Sequence, residues 1–231
     1  MNLGDATRQA FDLLLTGDHV LWGIVFVSLR VSFLALAVSA LPAVALGFAL
    51  ATFSFPGRRV LVVLVQTLLA MPTVVTGLIV YLLLTRQGVF GEWQLLFTQE
   101  AMIIGQAVLA FPILAAMTLS AVQGADPRIR ETALTLGAGP LQTALTTLAE
   151  VRFAVMAAML CGLGRIISEI GCAMMVGGNI AGVTRNITTA IALETSKGEF
   201  SQGIALGVVL MALALAINAL LHVLQGRGDM K

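Results

Sequence analysis

The 231-residue chain has little charge: Lys, Arg, Asp and Glu make up 11% of it, where soluble domains carry about a quarter. Too few polar side chains remain to solvate the surface of a protein this size. With 58% hydrophobic residues and a mean hydropathy of +0.98, the chain belongs to the membrane class before any motif is read. An excess of positive charge is missing too. The net charge of +1 argues against a nucleic-acid binder, whose surface would carry a basic patch or stripe. There are two cysteines and two histidines. His19 and His222 stand near opposite ends, so no zinc-type Cys/His spacing forms. Cys161 and Cys172 read as parts of one helix, separated by roughly 16 Å of rise, too far for a disulfide. Both read as small apolar packing residues. Lysine occurs twice, as Lys197 and Lys231, and neither follows a glycine. A Gly-x-x-x-x-Gly-Lys-Ser/Thr phosphate loop is therefore absent, and the chain does not bind ATP in that way.

What is abundant is long charge-free runs. They cover 31–57, 60–85, 101–125 and 200–226, each long enough for the roughly 20 residues that cross a bilayer as a helix. A fifth run, 153–177, is interrupted by Arg165 and Glu169. The expected fold is one all-α membrane domain, 1–231, of about five transmembrane helices. Segment 3–29 mixes apolar residues with Asp5, Arg8, Asp12, Asp18 and His19 and reads as an interfacial helix leading into the first span. It lacks the basic n-region of a secretory signal. Segment 178–199 is polar and rich in Gly and Thr, which suits a re-entrant or lumen-lining stretch covered by protein or water. Loops on one side hold Arg58, Arg59, Arg128, Arg130, Arg152, Arg227 and Lys231; those on the other hold Arg8, Arg86, Arg185 and Lys197. Lys and Arg concentrate in the cytoplasm. The N-terminus is thus expected outside and the C-terminus inside. Ala35, Ser39, Ala43, Gly47 and Ala51 recur every four residues on one face, a pattern for close helix packing within the chain or against a second copy. Gly203 and Gly207 repeat it in the last span.

The loop 126–152, between spans three and four, carries the first chemistry. Asp126 and Pro127 form a helix start, and Gly137 and Gly139 end it. An amphipathic connector would look the same from physics alone. The run Glu131-Thr132-Ala133 followed by Gly137, however, resembles the coupling signature of ABC importer permeases. That resemblance implies a short cytoplasmic helix docked in an ATPase subunit, with Arg130, Glu131, Thr132, Ala133 and Gly137 at the contact. The family continues with Ile-x-Leu-Pro, and here Thr147, Ala149 and Glu150 stand at those places, so half the signature is kept. Residues 164–171, 176–185 and 188–200 are similar to molybdate and tungstate permeases, with 188–200 most like the tungstate branch. The likeness spans roughly 20–225. It implies the type I importer permease fold, an inner-membrane location, tungstate as cargo ahead of molybdate, and sulfate or phosphate at a distance. It also implies partners: two ABC ATPase chains carrying ATP and Mg, and an extracytoplasmic oxyanion-binding protein. No cofactor is expected on this chain. Five helices are few to enclose a path, so a homodimer about a two-fold axis is the economical arrangement.

Polar groups at membrane depth are the candidate passage. Arg165 and Glu169, four apart, share a helical face, as a neutralised structural pair or as a gate. Asn179, Thr184, Arg185 and Thr188 offer an oxyanion donors and moderate positive potential without a deep trap; equally, they could satisfy their own loop. Two other classes compete. An intramembrane enzyme would need Ser168 beside Glu169 as nucleophile and base, with no histidine there to activate it. A channel without ATPase would leave the loop 126–152 unused.

Overall fold

The first crossing starts well before its charge-free run. Gly17, at φ 70°, ends α1 (Leu3–Thr16), and the Asp18 carboxylate then accepts from the Leu21 N–H to cap α2 (His19–Thr52). This is a computed structural model that describes residues 3–228, and the side chains of 7–223. The lead-in read as one piece, 3–29, thus divides at Gly17. Arg227 (its side chain) and Lys231, counted towards orientation, lie outside the described residues. At its far end α2 is closed by Arg58, whose Nε donates to the Leu50 carbonyl at 2.6 Å.

The second run is apolar throughout but is not one helix. It forms α3 (Arg58–Leu69) and α4 (Thr73–Leu84), bent by 105° at Ala70-Met71-Pro72. A residue before proline is pushed out of the helical region, so Met71 is where the chain turns. A short 3-10 turn at Gly91–Trp93 leads to α5 (Gln99–Gln123), capped by Thr98. Then follow α6 (Pro127–Thr135), α7 (Pro140–Glu150), α8 (Arg152–Ile167), α9 (Gly171–Gly177), α10 (Ile187–Lys197) and α11 (Phe200–Gly228). The described residues contain no strand. Among the described residues three helices, α2, α5 and α11, are long and apolar enough to cross a bilayer unbroken; counting each of the bent pairs α3/α4 and α7/α8 (67°) as one span brings the number up to five. The expected fourth span, 153–177, is corrected: α8 stops at Ile167, and Cys172 lies in α9, a different helix from Cys161. The segment 178–199 is a loop followed by α10.

Parallel α2 and α5 form the centre of the molecule. Ala35, Ser39, Ala43 and Gly47 are buried, and a Cβ on Gly47 would meet the Ala115 carbonyl oxygen at 2.5 Å. The small-residue row therefore serves packing within the chain. Short α9 is wedged between α4 and α5: a Cβ on Gly77 would reach the Cys172 Cα at 2.8 Å, and one on Gly105 its Sγ at 2.6 Å. At one end Ala10, Leu21, Ile187 and Leu206 tie α1, α2, α10 and α11 together; at the other Val122, Val151 and Val155 join α5 to the α7–α8 bend.

Candidate passage and coupling surface

At the α6 end the Asp126 carboxylate accepts from the Arg128 N–H and Pro127 takes the first helical position, as the sequence pattern requires. Arg130, Glu131 and Thr132 are exposed, whereas Ala133 turns inward and is buried. Gly137, at φ 80°, reverses the chain, and the Ala138 N–H reaches back to the Ala133 carbonyl at 2.9 Å. Reading the sequence missed four leucines on this unit. Leu134, Leu136, Leu141 and Leu145 are between 52% and 82% exposed on a polar connector, where only Leu141 and Leu145 share a helix face at i, i+4 spacing.

The break between α8 and α9 is held by Glu169. Its Oε2 accepts from Arg165 Nη1 at 2.9 Å, and its Oε1 accepts from the Cys172 N–H at 3.3 Å, where the free amides of the α9 N-terminus favour a carboxylate. The two partners differ in setting: the Glu169 side chain is 4% exposed and that of Arg165 is 49%. The Glu169 carbonyl accepts from Thr188 Oγ1 at 2.8 Å, which binds the break to α10. Asn186 caps α10: its Oδ1 accepts from the Thr189 N–H at 2.9 Å and from Thr188 Oγ1 at 3.0 Å. The Ile187 N–H donates to Ser28 Oγ of α2 at 2.7 Å. Ser168 Oγ donates back to the Gly164 and Arg165 carbonyls; in these contacts it has no base to activate it as a nucleophile.

The remaining candidates lie in and beside the loop that follows α9. Thr184 is fully buried, accepting from the Ile180 N–H at 2.9 Å and donating to the Gly177 carbonyl at 2.5 Å. Asn179 Nδ2 donates to the Thr189 carbonyl at 3.4 Å, while its Oδ1 is buried without a partner. Arg185 lies 4.0 Å from the buried Glu194 carboxylate, which also binds Lys197 at 3.1 Å. Glu194 escaped the sequence reading; the signal was an acid three residues before Lys197 in an otherwise neutral α10. Of the six candidates, Arg165, Glu169 and Thr188 are joined by hydrogen bonds, whereas Asn179, Thr184 and Arg185 share the loop between α9 and α10 but are each bonded to a different group. Arg165 keeps most solvent contact, and Thr184 and Thr188 are turned into the chain. Among the described residues no group of three His, Cys, Asp or Glu could hold a metal.

Comparison with known proteins matches residues 43–228 to the family model described as binding-protein-dependent transport system inner membrane component. A probable anion ABC transporter permease protein of Haloferax volcanii is 42% identical over 84% of this chain and 86% of its own. A tungstate uptake system permease protein of Peptoclostridium acidaminophilum is 38% identical over 96% of this chain and 98% of its own. The fold matches a solved amino acid ABC transporter crystallised with histidines, at a TM-score of 0.68 and 16% identity, over 93% of this chain and 96% of that one.

Proposed function

We propose a transport function for this chain, which belongs to the family of binding-protein-dependent transport system inner membrane components. It is the permease subunit of an ATP-driven importer, and its cargo is an oxyanion, tungstate. The observation that carries the cargo is likeness to a tungstate uptake permease along nearly the full length of both chains. Tungstate is a tetrahedral dianion, and the polar groups offered to it are two partly compensated arginines rather than a cluster of free cations, which suits entry followed by release.

The α6 end is cytoplasmic, which puts the N-terminus outside and the C-terminus inside. Two ATPase chains bind there, carrying ATP and Mg. Arg130, Glu131 and Thr132 meet the ATPase, Ala133 packs α6 onto its own chain, and Gly137 sets the turn that presents the helix. Two copies of the chain surround the passage, and an extracytoplasmic binding protein delivers the anion at the α10 end. Arg165 and Arg185 serve the passage; Glu169 holds Arg165, while Asn179, Thr184 and Thr188 order the segment around both cations.

The test is reconstitution of the permease with its ATPase and binding protein in liposomes, followed by ATP-dependent uptake of tungstate against molybdate and sulfate. Tungstate uptake abolished by Glu131→Arg is the expected result. An active bound ATPase with no uptake of any of the three oxyanions would sink the cargo and leave the permease fold without one.

A further inference from the structure

A cleft of about 1060 Å³ opens at the α6 end between α3, α5 and the α7–α8 bend. Gln66, Ser120, Arg152, Phe153, Ala154 and Ala157 are among its lining residues. Its mouth is ordered. Arg152 Nη1 donates to the Ala149 carbonyl at 2.6 Å, and the guanidinium lies 4.7 Å over the Phe153 ring. Glu150 shares the lining with Arg152, so the rim offers an anion a donor without a net trap.

A second observation leads away from this cleft. On α8, Ala154, Cys161 and Arg165, with Ser168 at the C-cap, follow at steps of seven, four and three, which places them within an arc of about 60° at 3.6 residues per turn. The strip starts in the cleft wall and ends at the α8–α9 break. These four residues are exposed in the isolated chain, while Val155, Ala157, Gly162, Leu163 and Ile166 form the buried face. An exposed stripe of small and polar residues with a half-solvated guanidinium does not suit hydrocarbon, where an ion is expensive.

We infer that this strip of α8 is one wall of a water-filled passage that widens into the Gln66–Ser120–Arg152 cleft, and that the cleft is the chamber from which the oxyanion leaves. The inference rests on the importer reading for the identity of what passes, and on geometry for the route. The α6–α7 unit reaches the chamber through Val151, the residue at the 67° bend and part of the cleft wall. A displacement of α6 by a bound ATPase therefore acts on the chamber mouth first.

Cys161 is a native probe on the strip, and Cys172 is buried. In the permease–ATPase complex in membrane vesicles, a membrane-impermeant anionic thiol reagent measures water access, because the thiolate is the reacting form. Cys161 is expected to label on the order of tenfold faster than a cysteine placed by Leu215→Cys or Met211→Cys on the exposed apolar face of α11, in a Cys161→Ala background. Cys161→Ala alone removes the labelling, and saturating tungstate slows it in the native chain. Equal rates at the strip and at α11 would overturn the passage while leaving uptake, measured separately, to judge the importer. Fast labelling of Cys161 in a complex that imports no oxyanion would keep the passage and remove its cargo.

Discussion

Glycine does opposite work at the two ends of the molecule. At the α6 end a Cβ on Gly137 or Gly139 would find nothing within 4 Å; Gly137 is there for its φ of 80°. Around α9 the glycines are spacing elements, with Gly77 and Gly105 admitting Cys172 where any Cβ would collide. The polar residues divide the same way. Arg130, Glu131 and Thr132 stand in solvent, whereas Glu169, Thr184, Asn186 and Thr188 are buried and bonded. One region is left open to solvent; the other is closed upon itself around Arg165 and Arg185.

The largest expected effect breaks this contrast at Gly77. Gly77→Val would drive a branched side chain against the α9 backbone, which has no slack, and overpacking of this kind costs about 1–3 kcal/mol or more. Thermal unfolding in detergent should show the midpoint falling, with loss of well-folded protein in the worst case. Gly139→Ala, at φ −69° and with open space around it, should change stability by less than about 0.5 kcal/mol. Equal sensitivity at the two positions would mean that α9 is not clamped.

A second pair separates stability from assembly. Glu169→Gln removes the charge facing Arg165 and weakens the acceptor at the α9 N-terminus. Because Arg165 is half in solvent, the loss is expected at about 1–2 kcal/mol, below the 3–5 of a fully buried pair. Glu131→Gln should leave the unfolding midpoint in place and reduce co-purification with the ATPase. If Glu131→Gln destabilised the isolated permease instead, α6 would be a structural connector.

Much of this division was legible in advance, and the illegible part has a physical reason. Charge-free runs report where apolar surface is needed, which is why the three unbroken spans and the first bent pair all fall on such runs. They do not report direction, so the 105° bend after Met71 and the break after Ile167 were hidden inside runs that looked continuous. Pro72 was a visible cue for the first. The second depends on Glu169 supplying an acceptor to the Cys172 amide, a contact that spacing alone does not distinguish from a plain i, i+4 pair with Arg165. Helix α6 was legible because Asp-Pro and Gly act locally. Thr184 and Thr188 were recognised as donors, but which acceptors they meet is decided by a chain reversal between α9 and α10. Glu194 pairs with Lys197 three residues on, which spacing could show, but its second cation, Arg185, is nine residues away across that loop and spacing could not.

The smallest effect is the sharpest test of the closed region. Thr188 Oγ1 has the Glu169 carbonyl at 2.8 Å and Asn186 Oδ1 at 3.0 Å as acceptors, so one hydroxyl joins the α8–α9 break to the α10 cap. Thr188→Val keeps the shape and removes the donor, leaving a buried carbonyl short of a partner; about 1 kcal/mol of stability should be lost. Thr188→Ser restores the donor and should recover most of it, which a packing role for the methyl group would not allow. The transport readout discriminates further. If the hydroxyl only ties α10 to the break, Val lowers the unfolding midpoint while uptake per folded complex holds. Should uptake fall in Thr188→Val by more than the folded fraction does, and return with Ser, the hydroxyl acts on the passing anion, and the closed region opens during transport.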